Sequence, residues 1–151
     1  MSCHSQLLNP LPAKVALKII IIESSSFLLV LFQDCSFNKL KADTALKVSY
    51  QANVRMYSDG KCIRLYFKFN GNECSGPMTI EAGVYSYWPG SIPNLHHHRS
   101  FEGYCENIPK GTVRVELWVG HCNNGHSLGN AYTGWTLVSR IMIEEVSRPQ
   151  S

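Results

Sequence analysis

The chain has no apolar stretch approaching the ~20 residues of a membrane-spanning helix, so insertion into a bilayer is not expected. It has no basic run either. Lys and Arg are scattered, and a formal net charge of +3 over 151 residues leaves no electrostatic stripe for phosphates, so no nucleic-acid partner is expected. No two cysteines stand at the C-x₂₋₄-C spacing of a structural zinc site, the closest pair being Cys62 and Cys74. The eleven glycines are scattered singly, never at every third position, so no collagen triple helix is encoded. No Asn-x-Ser/Thr glycosylation acceptor occurs. Near the start, Ile19–Ile22 and Phe27–Phe32 are each shorter than the roughly 7–15 residues of a signal-peptide core, and no clear cleavage pattern follows. After Asp34 no segment shows a helical period.

What is present instead is period-two alternation. Leu46, Val48, Tyr50, Ala52, Val54 and Met56 alternate with Lys47, Ser49, Gln51, Asn53 and Arg55. Ile63, Leu65, Phe67 and Phe69 alternate with Arg64, Tyr66 and Lys68, and Val113, Val115, Leu117 and Val119 with Arg114, Glu116 and Trp118. Met78, Ile80, Ala82 and Val84 form another run, and Leu137, Ile141 and Ile143 the inward set of a last one. Successive strand side chains point to opposite faces, so each run is a strand with one dry and one wetter face. Asp59-Gly60, Asn70-Gly71, Ser75-Gly76-Pro77, Pro89-Gly90 and Asn124-Gly125 supply turns between them. Short strands punctuated by turns predict an all-β protein built as an antiparallel β-sandwich or jelly roll.

A chain of this length is one domain on size, long enough to bury roughly 70% of the surface its unfolded form exposes. The change of pattern near Asp34 predicts an unassigned N-terminal segment, 1–34, followed by a globular β-sandwich domain, 35–151. Six cysteines favour an oxidising compartment.

From about Cys35 to Glu145 the sequence resembles the C-terminal globular domain of the collagen triple-helix-repeat-containing protein 1 family. The resemblance is carried by Asp34-Cys35-Ser36-Phe37, Ala45-Leu46-Lys47-Val48 and Tyr66-Phe67-x-Phe69-Asn70-Gly71-x-Glu73-Cys74-Ser75-Gly76-Pro77. It continues through Ile80-Glu81-Ala82, His98-Arg99, Glu102-Gly103-x-Cys105-Glu106 and Trp118-Val119-Gly120-x-Cys122. Thr133-Gly134-Trp135 and Val138-Ser139-Arg140-Ile141-x-Ile143-Glu144-Glu145 complete it. The collagen segment and signal peptide of that family are not recognisable here, and the stretch between Pro93 and Glu102 is shorter than the family's pattern. The resemblance implies a secreted, non-enzymatic matrix or signalling module with a jelly roll like that of tumour-necrosis-factor-like and complement-type collagenous proteins. It further implies a homotrimer, cell-surface receptor or matrix partners, and a link to Wnt-type signalling.

Cys35, Cys62, Cys74, Cys105 and Cys122 fall inside the domain and are disulfide candidates, each bridge of this kind typically contributing ~2–4 kcal/mol. Five leave one odd, which pairs with Cys3, bridges to another subunit or stays free. His96-His97-His98, with His121 and His126, invite a metal reading, but consecutive strand residues point to opposite faces and a solvated polar loop is preferred. No metal or cofactor is expected. Trp88, Trp118, Trp135, Tyr85, Tyr87, Tyr104 and Tyr132 are the material of a glycan platform or of core and interface. Tyr66, Trp118, Val138 and Met142 lie on charged strand phases and are the interface candidates, aromatics and Met ringed by charge being the composition of a subunit contact. Three functional classes follow: a protein-binding module, which leads; a lectin-like glycan- or matrix-binding sandwich; and a hydrolase using Cys105 or a Glu pair with His98.

Overall fold

Ten strands alternate with turns in the computed structural model, which describes residues 2–5, 30–91, 93–123, 125–126, 128–134 and 137–149, the side chains of 2–5, 30 and 32 excepted. They are β1 (Ser2–Ser5), β2 (Val30–Lys39), β3 (Ala45–Met56), β4 (Lys61–Phe69) and β5 (Asn72–Glu73), then β6 (Glu81–Ser86), β7 (His97–Cys105), β8 (Gly111–Gly120), β9 (Ala131–Thr133) and β10 (Arg140–Val146). No helix occurs among the described residues. The all-β class expected from the alternation is what the backbone adopts.

The strands form two five-stranded sheets. The first runs β1-β10-β3-β7 with β9 also on β3, and the second β2-β8-β4-β5 with β6 also on β4. Every pairing is antiparallel except that of β1 with β10. The apolar phases of both sheets face each other. Val48, Tyr50 and Ala52 of β3 share one buried cluster with Ile63, Leu65 and Phe67 of β4 and with Val115 and Leu117 of β8. Phe101 of β7 joins the layers, its ring centroid 6.0 Å from that of Tyr50 and 5.4 Å from that of Phe67. Such ring pairs contribute about 0.5–1.5 kcal/mol beyond the area they bury. Close approach here requires glycine: a Cβ on Gly103 would stand 2.8 Å from Cγ1 of Ile80.

At the foot of the sandwich the end of β10 is latched to the loop after β2. The carboxylate of Glu145 accepts the backbone N–H groups of Leu40 (2.7 Å) and Lys41 (2.8 Å) and the hydroxyl of Thr44. Burial raises the pKa of this carboxyl, but those donors and nearby Lys39 outweigh it and leave the pKa below its ordinary value. Lys39 is itself buried, its Nζ donating to Thr44 Oγ1 at 2.9 Å.

Several elements differ from expectation. Period-two alternation does not mark β1, β2, β5, β7 or β9 as strands. The boundary placed at 34/35 falls inside β2, which starts at Val30. The run begun at Met78 becomes a strand only at Glu81; Pro77 has no N–H to give a ladder, and Met78 is 70% exposed. Leu137 is exposed, so Ile141 and Ile143 form the inward set of β10 without it. Asn70 and Gly71 make the expected turn, their φ values of 49° and 84° giving the doubly left-handed geometry that suits a tight hairpin between β4 and β5. Asn124 of the Asn124-Gly125 turn lies outside the described residues.

Tyr50 offers a test of the inter-sheet core. Its hydroxyl meets Thr133 Oγ1, and burial pushes the phenol up to about 12, the hydrogen bond pulling the other way. A phenol that ionises later folded than unfolded contributes fully below pH ~10 and loses that contribution as the pH climbs toward 12, roughly 2–3 kcal/mol in all. Tyr50→Phe is expected to cost about 1 kcal/mol at neutral pH through the lost hydrogen bond. It should also flatten the fall in urea midpoint above pH 10. Parallel pH profiles for the two proteins would refute this.

Candidate functional site

The outer face of the second sheet is tiled by alternating charge and aromatic ring. The register sets Tyr66 opposite Trp118 and Lys68 opposite Glu116 across β4 and β8, and Tyr66 opposite Glu81 across β4 and β6. Arg64 bends back over Tyr66, 4.2 Å from the ring centroid, and holds both oxygens of Glu73 at 3.1 and 2.6 Å while also contacting Glu81. The bond to Glu73 raises the pKa of the guanidinium, against the opposing effect of burial. Lys68 lies 4.4 Å over Trp118, whose Nε1 donates to the buried carboxylate of Glu116 at 3.2 Å. Arg114 completes the row, its Nε 3.0 Å from Glu116 and 2.9 Å from Asp34. Arg64 and Arg114 are thus ion-paired, while Lys68 rests on the ring of Trp118.

That tiling decides where the interface candidates stand. Tyr66 is only 2% exposed, covered by Arg64 and by Trp118 beside it, while Trp118 is half-buried. Met142, 39% exposed, projects from β10 on the outer face of the first sheet, and Val138, 57% exposed, precedes that strand. The four residues therefore occupy opposite sides of the sandwich and form no single patch. Around Met142 the same face of the first sheet carries Arg140 and Glu144 on β10, Lys47, Ser49, Gln51 and Asn53 on β3, and Ser100 and Glu102 on β7, so uncharged and charged side chains both border it. Beyond its edge, a groove of about 550 Å³ is lined by Pro77, Met78, Ile80, Glu102, Tyr104 and Pro149, among others.

The cysteines resolve into bridges. Cys62 bonds Cys122 and Cys74 bonds Cys105, with Cα separations of 5.9 and 5.7 Å. The first bridge continues the β4–β8 ladder, where Arg64 faces Gly120 and the next outward positions are Cys62 and Cys122. The second joins the end of β5 in one sheet to the end of β7 in the other. Cys35 is also disulfide-bonded, and no described cysteine is free. Cys3, the expected alternative partner for an odd cysteine, has its side chain outside the described residues, as does Trp135.

This geometry removes the thiol hydrolase. Cys105 is oxidised, and His98 sits seven residues up the same strand, roughly 23 Å away at ~3.3 Å per residue. Of the aromatics considered for a glycan platform, Tyr85, Tyr87, Trp88 and Tyr132 gather at the end of the sandwich where β6 stops and β9 begins. Trp118 stands on the sheet face, and Tyr104 lies at the far end beside Lys47. Arg55 and Tyr57 at the first end escaped the sequence reading, because only folding brings three separate loops to them.

Two tests follow. Arg64→Gln should lose about 1–2 kcal/mol, its paired carboxylate and ring contact exceeding the 0–1 kcal/mol of an ordinary exposed pair, with Arg64→Lys recovering less than half. A loss under ~0.3 kcal/mol by chemical denaturation would show the row to be ornamental. The two bridges can be ranked by loop closure. Cys62–Cys122 spans 60 residues and Cys74–Cys105 spans 31, so replacing the first pair by serine should cost about 0.5 kcal/mol more than replacing the second. The reverse order in denaturation midpoints would mean that the inter-sheet position outweighs chain entropy.

A family model described as CTHRC1, C-terminal domain, matches residues 24–143. No solved structure matches the chain. The match takes in β2 to β8, both mapped disulfides and most of β10, and it agrees with the motifs from Cys35 to Glu145. The family is extracellular and matrix-related and is not known as enzymatic. The chain belongs to the CTHRC1 C-terminal-domain family.

Proposed function

We propose that this chain is a secreted, non-enzymatic signalling module of the extracellular matrix that works by protein–protein contact and assembles as a homotrimer. The observation that carries the assembly is the contrast between the two outer sheet faces. On the second sheet both arginines are ion-paired and Lys68 lies over a ring, which leaves less for a partner to satisfy. The first offers the exposed Met142 beside Ser49 and Gln51, with Arg140 and Glu144 flanking it on β10 and the Lys47–Glu102 pair next to them, an apolar centre with a charged rim. An exposed apolar residue inside a polar and charged rim is how an interface is composed. The nested pairing of β2 with β8, β3 with β7 and β4 with β6 supports a jelly roll. Family membership supports extracellular partners, with a Wnt-type receptor system as the finer reading.

A second reading, a lectin-like matrix-binding sandwich, is favoured by the exposed Tyr85, Tyr87 and Trp88 at one end.

Light scattering on the full chain with its disulfides intact tests the assembly. Three times the chain mass is expected at tens of micromolar, with Met142→Lys reducing it to monomer and Trp118→Lys leaving it unchanged. A wild-type monomer or dimer ends the trimer proposal. Dissociation by Trp118→Lys alone would move the contact to the second sheet.

A further inference from the structure

We infer that the end of the sandwich formed by the β3–β4, β6–β7 and β8–β9 connections binds sulfated glycosaminoglycan chains. The inference rests on the lectin-like reading and names its ligand class. These connections are tied into one piece. Gly60 N–H donates to the Ser86 carbonyl (2.9 Å), Tyr57 N–H to the Asn130 carbonyl (2.8 Å) and Trp88 N–H to Asp59 Oδ1 (2.8 Å), while Asn130 N–H reaches Ser58 Oγ (2.9 Å). Loops held this way lose little freedom when a ligand arrives. On this fixed base Tyr87 is 64% and Trp88 45% exposed, and Tyr85 stacks at 4.9 Å against His126. Large rings left in water on tied loops mark a binding surface.

Charge identifies the ligand. The guanidinium of Arg55 lies between the rings of Tyr132 and Tyr57, 4.0 and 4.9 Å from their centroids. Its Nη groups donate to two neutral amide oxygens, Asn94 Oδ1 at 2.8 Å and Asn130 Oδ1 at 3.4 Å. Its buried Nε–H has no acceptor among the described residues. Arg64 and Arg114 are ion-paired; among the described residues no carboxylate stands within 4.0 Å of Arg55. Along the three connections Asp59 is the sole acid, set against Arg99 and Lys61 at the adjoining strand ends. Toward the opposite end Glu73, Glu102 and Glu106 stand among Lys41, Lys47 and Lys110, so acids offset the cations there as they do not at this end. A polyanion is therefore steered to this end. Three fixed cations are too few for a nucleic-acid track, whereas rings for sugar faces, side-chain amides for hydroxyls and an uncompensated guanidinium for sulfate fit an anionic saccharide.

The test is calorimetric titration of the full, disulfide-intact chain with a heparin-derived hexasaccharide at physiological salt. Arms with its desulfated counterpart and with a neutral N-acetylglucosamine hexamer run beside it. Loss of the sulfate contacts, or Arg55→Gln, should weaken binding about tenfold or more, the worth of a charge-assisted hydrogen bond. The exposed-ring double variant Tyr87→Ala/Trp88→Ala disturbs no core contact and should weaken it at least about fivefold, keeping the test decisive if Arg55→Gln loosens the loops. Lys110→Gln, at the opposite end, should change it less than about twofold. Equal losses from Lys110→Gln and the ring variant would overturn the site as mere net charge. Equal affinity for the neutral hexamer would leave the lectin-like reading standing and overturn the anionic ligand. Binding of no saccharide at all would overturn both.

Discussion

The contact of Phe101 with Tyr50 and Phe67 brings the two sheets to the separation at which everything else fits. Phe101 belongs to the same sheet as Tyr50 and reaches across to Phe67 in the other, so its ring is the peg between layers. Gly103, two residues along the same inward phase, brings β7 close enough for Ile80 to fill the space a Cβ would take. Cys105, two further on, is covalently tied to Cys74 across the layers. Three consecutive inward positions of one strand thus hold the sandwich by ring stacking, close approach and a covalent bond. The outer faces, where partners are met, are carried by a scaffold that these three positions align.

The two outer faces then diverge in character for a simple electrostatic reason. On the second sheet Arg64 lies over Tyr66 and ends on Glu73 and Glu81, Lys68 covers Trp118 and Arg114 bridges Asp34 and Glu116, so most of the surface charge is met internally while Tyr66 and Glu116 are buried beneath. On the first, β3 contributes the uncharged Ser49, Gln51 and Asn53 along its middle, between Lys47 and Arg55 at its ends, and Met142 of β10 stays exposed beside them. One face is largely neutralised by its own ion pairs, and the other keeps an exposed methionine between charges.

Much of this was legible in the chain. β3, β4, β8 and the inward residues of β10 announce themselves, because their buried phases are uninterrupted aliphatic or aromatic series. β7 does not, since its inward phase reads His97, Arg99, Phe101, Gly103, Cys105 and only the second half of it is covered. β2 is obscured by Lys39, a charge on an inward phase that is accommodated only by partners from the following loop, and by a register shift between Leu31 and Gln33. The cysteines were recognisable as bridge formers, yet their pairing needed the ladder that sets position 62 across from 122. Tyr66 shows the limit from the other side: alternation assigns it to the outward face correctly, but nothing in spacing reveals that Arg64 folds over it. The loop-end cluster around Arg55 is of the same kind, assembled from three distant pieces of chain.

The placement of the two mapped bridges also has a mechanical meaning. Cys62–Cys122 locks β4 to the end of β8 within one sheet at one pole, Cys74–Cys105 joins the two sheets at the other, and the second loop is nested inside the first. Tension applied to the chain on either side of this pair is carried through the Cys62–Cys122 bond. The 60 positions it spans cannot be drawn out, so β4 to β8 remain a closed ring whatever happens to their hydrogen bonds. Under tension the flanking strands can peel while the ring keeps its length, and only a reductant reaching that sulfur pair can release the slack.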